Sequence, residues 1–191
     1  MDTQQVVSAI LAAMKSGKTF ETLVLPTNSP ERLMTSFRER GVPERGFLLP
    51  DELEEIALVK NGGKLSTKTR EALWSNSKDT IERLTRMALG TDDPELAVRL
   101  LLGLDGVRLP TATCILAWTL PHKWPVIDVR AWRALVGFSK GILVADPPGG
   151  LKVRHWRQYF AVVKEVATTS AMTPQAVDVW LYRYDKHTAN P

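Results

Sequence analysis

The sequence predicts an all-α fold. Apolar residues recur at helical spacing in segment after segment, and helix start and stop residues punctuate those segments. No stretch shows the alternation of a half-buried strand, and Leu23-Val24-Leu25 is the only β-like scrap. About nine or ten helices joined by short loops are expected.

The elements follow in order. Residues 6–14 have apolar positions at helical spacing. Ser29-Pro30-Glu31 reads as an N-cap, a proline at the first helical position and an acid in the first turn; Gly41 ends that helix. Pro50-Asp51-Glu52 starts another, with Leu53, Ile56, Ala57 and Leu58 on one side and Asn61-Gly62-Gly63 as its stop. A short helix over 67–74 ends in a loop-like break at Leu73-Trp74-Ser75-Asn76. Ser77 or Asn76 caps the next, which places Ile81, Leu84, Met87 and Ala88 on one face. Thr91-Asp92-Asp93-Pro94-Glu95 is a strong start signal for a helix to 102. Helices over 111–120 and 128–138 follow, then a Pro- and Gly-rich loop over 141–150. A long helix over 151–169 turns Trp156, Phe160, Val163 and Val166 inward, and Thr173-Pro174 caps a last one through Tyr184. Tyr182 and Tyr184 are expected to pack.

The 191 residues, 44% hydrophobic and 24% charged, suffice for one compact domain or two small lobes. No apolar run approaches the ~18 residues of a membrane span. The first residues lack the basic, apolar, small-residue order of a secretory signal, so a cytoplasmic protein is expected. The single cysteine, Cys114, excludes an internal disulfide and a four-cysteine zinc or iron–sulfur site. It falls on an apolar helix and reads as buried packing. His122 and His187 have no metal-ligand spacing with any Cys or His, so no catalytic metal is expected. Residues 1–103 hold 14 Lys+Arg and 15 Asp+Glu, whereas 104–191 hold 11 and 6, a net of +5. That excess favours a polyanionic partner.

The basic half carries the most informative stretch. Leu104-Asp105-Gly106-Val107-Arg108-Leu109-Pro110-Thr111-Ala112 reads as an apolar-Gly-apolar turn between two helices. Gly106 supplies freedom from Cβ, and Leu104 and Val107 anchor the turn. The amides after the glycine and the start of the next helix are a ready site for a phosphate. Val126-Ile127-Asp128-Val129-Arg130 follows, across a connection containing Pro121 and Pro125. This spacing is expected to bring Asp128 back beside the hairpin. Asp128 also reads as the N-cap of its helix.

Residues 104–135 resemble the helix-hairpin-helix base-excision DNA glycosylases, the superfamily of endonuclease III and the adenine glycosylases. Members carry a Leu-Pro-Gly-Val-Gly-x-x-Thr-Ala hairpin, an apolar helix and a Pro-Val-x-Asp segment bearing the catalytic acid. The chain departs from that pattern in having Asp105 for the proline and Arg108 for the second glycine. Where bifunctional members place a nucleophilic lysine, this chain has Pro110, so a Schiff-base lyase step is not implied. The iron–sulfur cysteines are absent. The resemblance implies a two-lobed helical bundle with a cleft between the lobes. The single domain 1–191 would then comprise a hairpin lobe over 50–140 and a second lobe of 1–49 with 141–191. It also implies double-stranded DNA as partner, no membrane, a monomer and, at the hairpin, a carbonyl-bound monovalent cation. Asp128 would be the catalytic acid. Leu104, Gly106, Val107, Arg108, Leu109, Thr111, Arg130 and Arg133 would contact DNA.

Extruding a base costs a few kcal/mol and needs aromatic or apolar walls. Of the 6 tryptophans, Trp74, Trp124 and Trp132 are the pocket candidates. Arg130, Arg133, Lys140, Lys152, Arg154, His155 and Arg157 form a basic set placed for phosphates, or for solvent. The expected function is a monofunctional DNA glycosylase that removes a damaged or modified base. The substrate range extends to hypermodified phage bases, hence to repair or to antiviral defence. The alternatives are a non-catalytic helix-hairpin-helix DNA-binding protein and a helical interaction protein with no DNA role.

Overall fold

A computed structural model gives the structure and describes residues 2–16, 29–139, 143, 145, 147 and 149–189. The described residues are all-helical, with no strand among them. The helices are α1 (Thr3–Lys15), α2 (Pro30–Glu39), α3 (Val42–Arg45), α4 (Pro50–Lys60), α5 (Thr67–Ser75) and α6 (Lys78–Gly90). They continue as α7 (Pro94–Leu101), α8 (Leu109–Thr119), α9 (Val129–Phe138), α10 (Val153–Ser170) and α11 (Pro174–Ala189). Among the described residues no helix is long and apolar enough to cross a membrane. The Leu23-Val24-Leu25 scrap lies outside the described residues, as does Lys140 of the basic set.

The chain forms two compact units, Leu23–Leu120 and the pair of segments Met1–Thr22 with Pro121–Pro191. The expected 50–140 lobe therefore does not correspond to a unit. The boundary falls at Pro121, which places the Gly106 turn in one unit and Asp128 in the other. The connection that holds Pro121 and Pro125 begins at that boundary.

In the unit Leu23–Leu120, α8 is the central element. It is apolar nearly all round, and every residue from Leu109 to Thr119 except Pro110 is buried, as expected of a helix enclosed on almost all sides. Helices α2, α4 and α7 pack on it, α5 packs on α4, and α6 packs on α7. Sequence-legible caps set several starts: Ser29 Oγ accepts the Arg32 N–H at 3.3 Å, and Asp93 Oδ1 accepts the Glu95 N–H at 2.8 Å. Met87 does not join the α6 core face. The buried residues are Ile81, Thr85, Ala88 and Leu89, and Met87 lies six residues beyond Ile81, well off that stripe. Glu52, in the first turn of α4, is buried. It pairs with Arg45 and accepts the Leu49 N–H at 2.8 Å, which satisfies its charge in place of water.

In the other unit, α9 packs on α11, and α1 and α11 both pack on α10. The inward row of α10 is as expected, with Trp156, Phe160, Val163 and Val166 all buried. Trp124, Trp156 and Phe160 form an aromatic cluster with ring centroids 5.2–6.4 Å apart. Tyr184 packs on Trp180 and Phe138, whereas Tyr182 is exposed.

Candidate functional site

The predicted hairpin is a turn between α7 and α8. Gly106 adopts φ +79°, the left-handed region that residues with a Cβ avoid. A Cβ built there would lie 3.1 Å from the Leu73 backbone N and from its Cγ, so the turn is also pressed against α5. The Val107 N–H closes the turn on the Leu104 carbonyl at 3.2 Å. Asn76 clamps it: its Nδ2 donates to the Asp105 carbonyl at 3.0 Å, and its Oδ1 accepts the Asp105 N–H at 2.9 Å. The helix cap is Ser77, whose Oγ accepts the Thr80 N–H at 3.1 Å. Replacing Asn76 with Ala is expected to cost about 1–3 kcal/mol through these two bonds. That lowers Tm by roughly 2–12 °C for a chain of this size; an unchanged melting curve would show that the clamp contributes nothing.

Leu104 and Val107 are buried and anchor the turn as expected. Leu109 and Thr111 are each only 6% exposed, so their side chains are core, not contact surface. The solvent-facing part of the turn is Asp105, Gly106 and Arg108. Arg108 is the N-cap of α8 and gives that helix no side-chain hydrogen bond. The first turn of α8 therefore lacks the polar cap that Ser77 gives α6 and Asp93 gives α7.

Of the three candidate tryptophans, Trp74 alone presents a face. It lies within α5, not in a loop, and is 54% exposed. Its Nε1 donates to Glu54 Oε2 at 2.8 Å, and Glu54 Oε1 accepts from Arg70 Nε at 2.7 Å, so the exposed ring is held in one orientation. Trp124 and Trp132 are 0% and 1% exposed. They are core side chains, the first against Trp156 and Phe160 and the second against His155 at 5.1 Å, and offer no face to a base. An indole beside an acid in sequence gave no means of telling an inward ring from a pocket wall.

Asp128 is the N-cap of α9. Its Oδ1 accepts the Ala131 N–H at 2.8 Å, and the Arg130 backbone N–H also reaches it. The residue is half-buried. Burial pushes its carboxyl above the usual range, the two amides and the Arg130 charge pull it down, and Asp185 pushes it up. Arg130 is itself paired: its Nη1 lies 3.4 Å from Asp185 Oδ2 on α11. Arg133, Lys152, Arg154 and Arg157 are exposed, as the basic set requires. His155 is not part of that face. It is buried, and its Nδ1 accepts the Lys152 N–H at 2.9 Å at the start of α10.

Sequence reasoning did not single out Asp178, Asp185 or Tyr159. Asp178 and Asp185 lie seven residues apart on α11, hence on one face, and both are buried. Tyr159 on α10 donates its hydroxyl to Asp178 Oδ1 at 2.6 Å. Asp178 also accepts the Val126 N–H, two residues before Asp128. Burial pushes the Asp178 carboxyl well above the usual range, and the charge of Asp128 pushes the same way. Burial and Asp178 likewise hold the Tyr159 phenol well above its ordinary value. A carboxyl raised in the folded state favours folding below its unfolded pKa of about 4, and that contribution is lost as pH rises through the folded value. Asp178→Asn does not ionise. Its Tm relative to wild type is therefore expected to climb as pH rises above the unfolded value of ~4; parallel curves would contradict the raised carboxyl.

No protein-family model, curated protein or solved structure matches this chain. Among the described residues no group of three or more His, Cys, Asp or Glu is placed to hold a metal ion. What the residues provide is a glycine-dependent turn with an exposed arginine, an oriented aromatic in the same unit, and a half-buried carboxyl fixed at a helix start in the other.

Proposed function

We propose that this chain is a monofunctional DNA glycosylase that hydrolyses the N-glycosidic bond of a damaged or modified base and leaves an abasic site. The observation that carries this reading is Asp128, a half-buried carboxyl oriented by backbone amides. It lies in a unit that holds 12 Lys+Arg against 7 Asp+Glu.

In such a reaction the C1′–N bond breaks, its electron pair leaves with the base, and positive charge develops on the sugar. A carboxylate near C1′ stabilises that charge and accepts a proton from the water whose oxygen bonds to C1′; the departing base takes a proton from solvent. Asp128 has the type and setting for this role. Gly106 and Arg108 would meet a DNA phosphate at the turn, and Arg130 and Arg133 would flank the flipped nucleotide. Trp74 would stack on an unpaired base. The two-lobed helix-hairpin-helix architecture, the monovalent cation at the turn and the monomeric state belong to the same proposal. Pro110 leaves no amine for a lyase step.

One observation favours the alternative of a non-catalytic DNA-binding protein: the Asp128–Ala131 bond is all that an N-cap needs. The two readings part on released base. Incubation with duplexes carrying alkylated, deaminated, oxidised or hypermodified bases is expected to yield free base and an alkali-labile strand. Binding without release from any of them would select the alternative. Both readings require salt-sensitive affinity. A log–log slope of roughly −3 to −5 is expected for about four phosphate contacts, reduced by about 1 in Arg133→Ala. A slope near zero would exclude both.

A further inference from the structure

We infer that Asp178 is a positioning residue for Asp128, holding the segment that leads into it through the Val126 amide and anchored in turn by the Tyr159 hydroxyl. The glycosylase reading is needed only for the effect of this anchor on rate; the anchor itself is a statement about the chain.

The geometry is a short relay across three helices. Val126 sits two residues before the carboxyl, in the non-helical stretch between α8 and α9. Nothing in regular secondary structure fixes such a stretch, so its amides need partners elsewhere. Asp178 supplies one from α11. A buried carboxylate has acceptor sites to spare, and Tyr159 fills one at 2.6 Å from α10. Asp178 and Tyr159 are 6% and 0% exposed, so water does not compete for either bond. The groups acting on Asp128 are Arg130 from α9 and Asp185 and Asp178 from α11, with Tyr159 behind Asp178 on α10. Helix α1, which also packs on α9, buries Val6, Val7 and Ile10, none of them titratable. Burial and the Asp128 charge push the Asp178 carboxyl up, and the hydrogen bonds from Tyr159 and Val126 pull it down.

The test compares Asp178→Asn, Asp178→Ala and Tyr159→Phe in the full chain, reading hydrogen exchange at the Val126 amide and single-turnover base release across pH. Asparagine keeps an acceptor for Val126 and turns its NH₂ to Tyr159, so Asp178→Asn is expected to retain amide protection and most of the rate. Asp178→Ala removes the acceptor. Val126 protection is expected to fall, and the chemical step to slow by roughly 10- to 100-fold with little change in DNA affinity, as for a misplaced catalytic group. Tyr159→Phe keeps the core filled and is expected to raise Val126 exchange to an intermediate level. If Asp178→Ala does not fold, Tyr159→Phe decides by the same exchange readout. Unchanged Val126 exchange in the folded variants overturns the inference. So does faster exchange with an unchanged rate. If the wild type releases no base from any substrate, the glycosylase reading fails, and the exchange measurements still decide whether Asp178 holds the segment.

Discussion

Asp128→Asn is expected to abolish base release while leaving the fold and DNA binding intact. Asparagine caps a helix as well as aspartate does, so its Oδ1 can accept the Ala131 N–H that Asp128 now accepts at 2.8 Å. The charge is what disappears. If the carboxylate stabilises a sugar cation, its loss is expected to slow the step by about 10³-fold or more, on the order of 4 kcal/mol. Stability moves the other way. Burial already disfavours ionised Asp128, so a side chain that does not ionise relieves that cost as pH rises above the ordinary carboxylate range. Removing a negative charge near a polyanion also leaves duplex affinity equal or slightly higher. The signature is thus loss of turnover with unchanged or improved Tm and unchanged or tighter binding. Asp128→Ala, by contrast, also loses the cap and about 1 kcal/mol of stability. Full activity in Asp128→Asn would reduce Asp128 to a helix cap.

Gly106→Ala carries the second large effect. Two independent costs meet at this position. The left-handed φ of +79° disfavours any Cβ by about 1–2 kcal/mol. The new methyl would also stand 3.1 Å from the Leu73 backbone N, Cγ and Cδ2, a contact the α5 backbone relieves only by moving. Overpacking of this kind costs about 1–3 kcal/mol. The total, about 2–5 kcal/mol, corresponds to a Tm fall of roughly 4–20 °C for a chain of this size. Duplex affinity is expected to fall as well, because the exposed backbone of Gly106 and the placement of Arg108 both depend on the turn. Weaker binding at a temperature where the variant is fully folded isolates the turn's contact with DNA. A variant as stable as wild type would contradict the geometry, and a destabilised variant with unchanged affinity would remove the turn from the DNA interface.

Much of the fold was legible locally. Ser29, Ser77, Asp93 and Asp128 each begin a helix as their residue types and spacing predicted. Cys114 was legible as buried packing on the apolar helix α8. The turn at Gly106 was legible too, since glycine between two apolar anchors has few other uses. What escaped depends on contacts between residues far apart in sequence. Asn76 reaches Asp105 across 29 positions, and the pressure of Leu73 on Gly106 is a property of packing, not of pattern. Asp178 and Tyr159 lie on helices whose periodicity announced an apolar interior, and periodicity offers no reason for a carboxyl there. Trp124 and Trp132 failed in the opposite sense: proximity in sequence to Asp128 was taken for proximity to its open side, but both rings turn inward. The division into units at Pro121 was not legible, because prolines in a connection mark a spacer within a motif and a junction between units alike.

The most direct measurement is mass spectrometry of the free base released from a panel of modified duplexes and phage genomic DNAs, run in parallel with wild type and Asp128→Asn. The expected result is one class of free base from wild type, a matching count of abasic sites, and neither from the variant. Release of the same base at the same rate by both proteins, or no base from any DNA that wild type binds, would contradict an Asp128-dependent glycosylase.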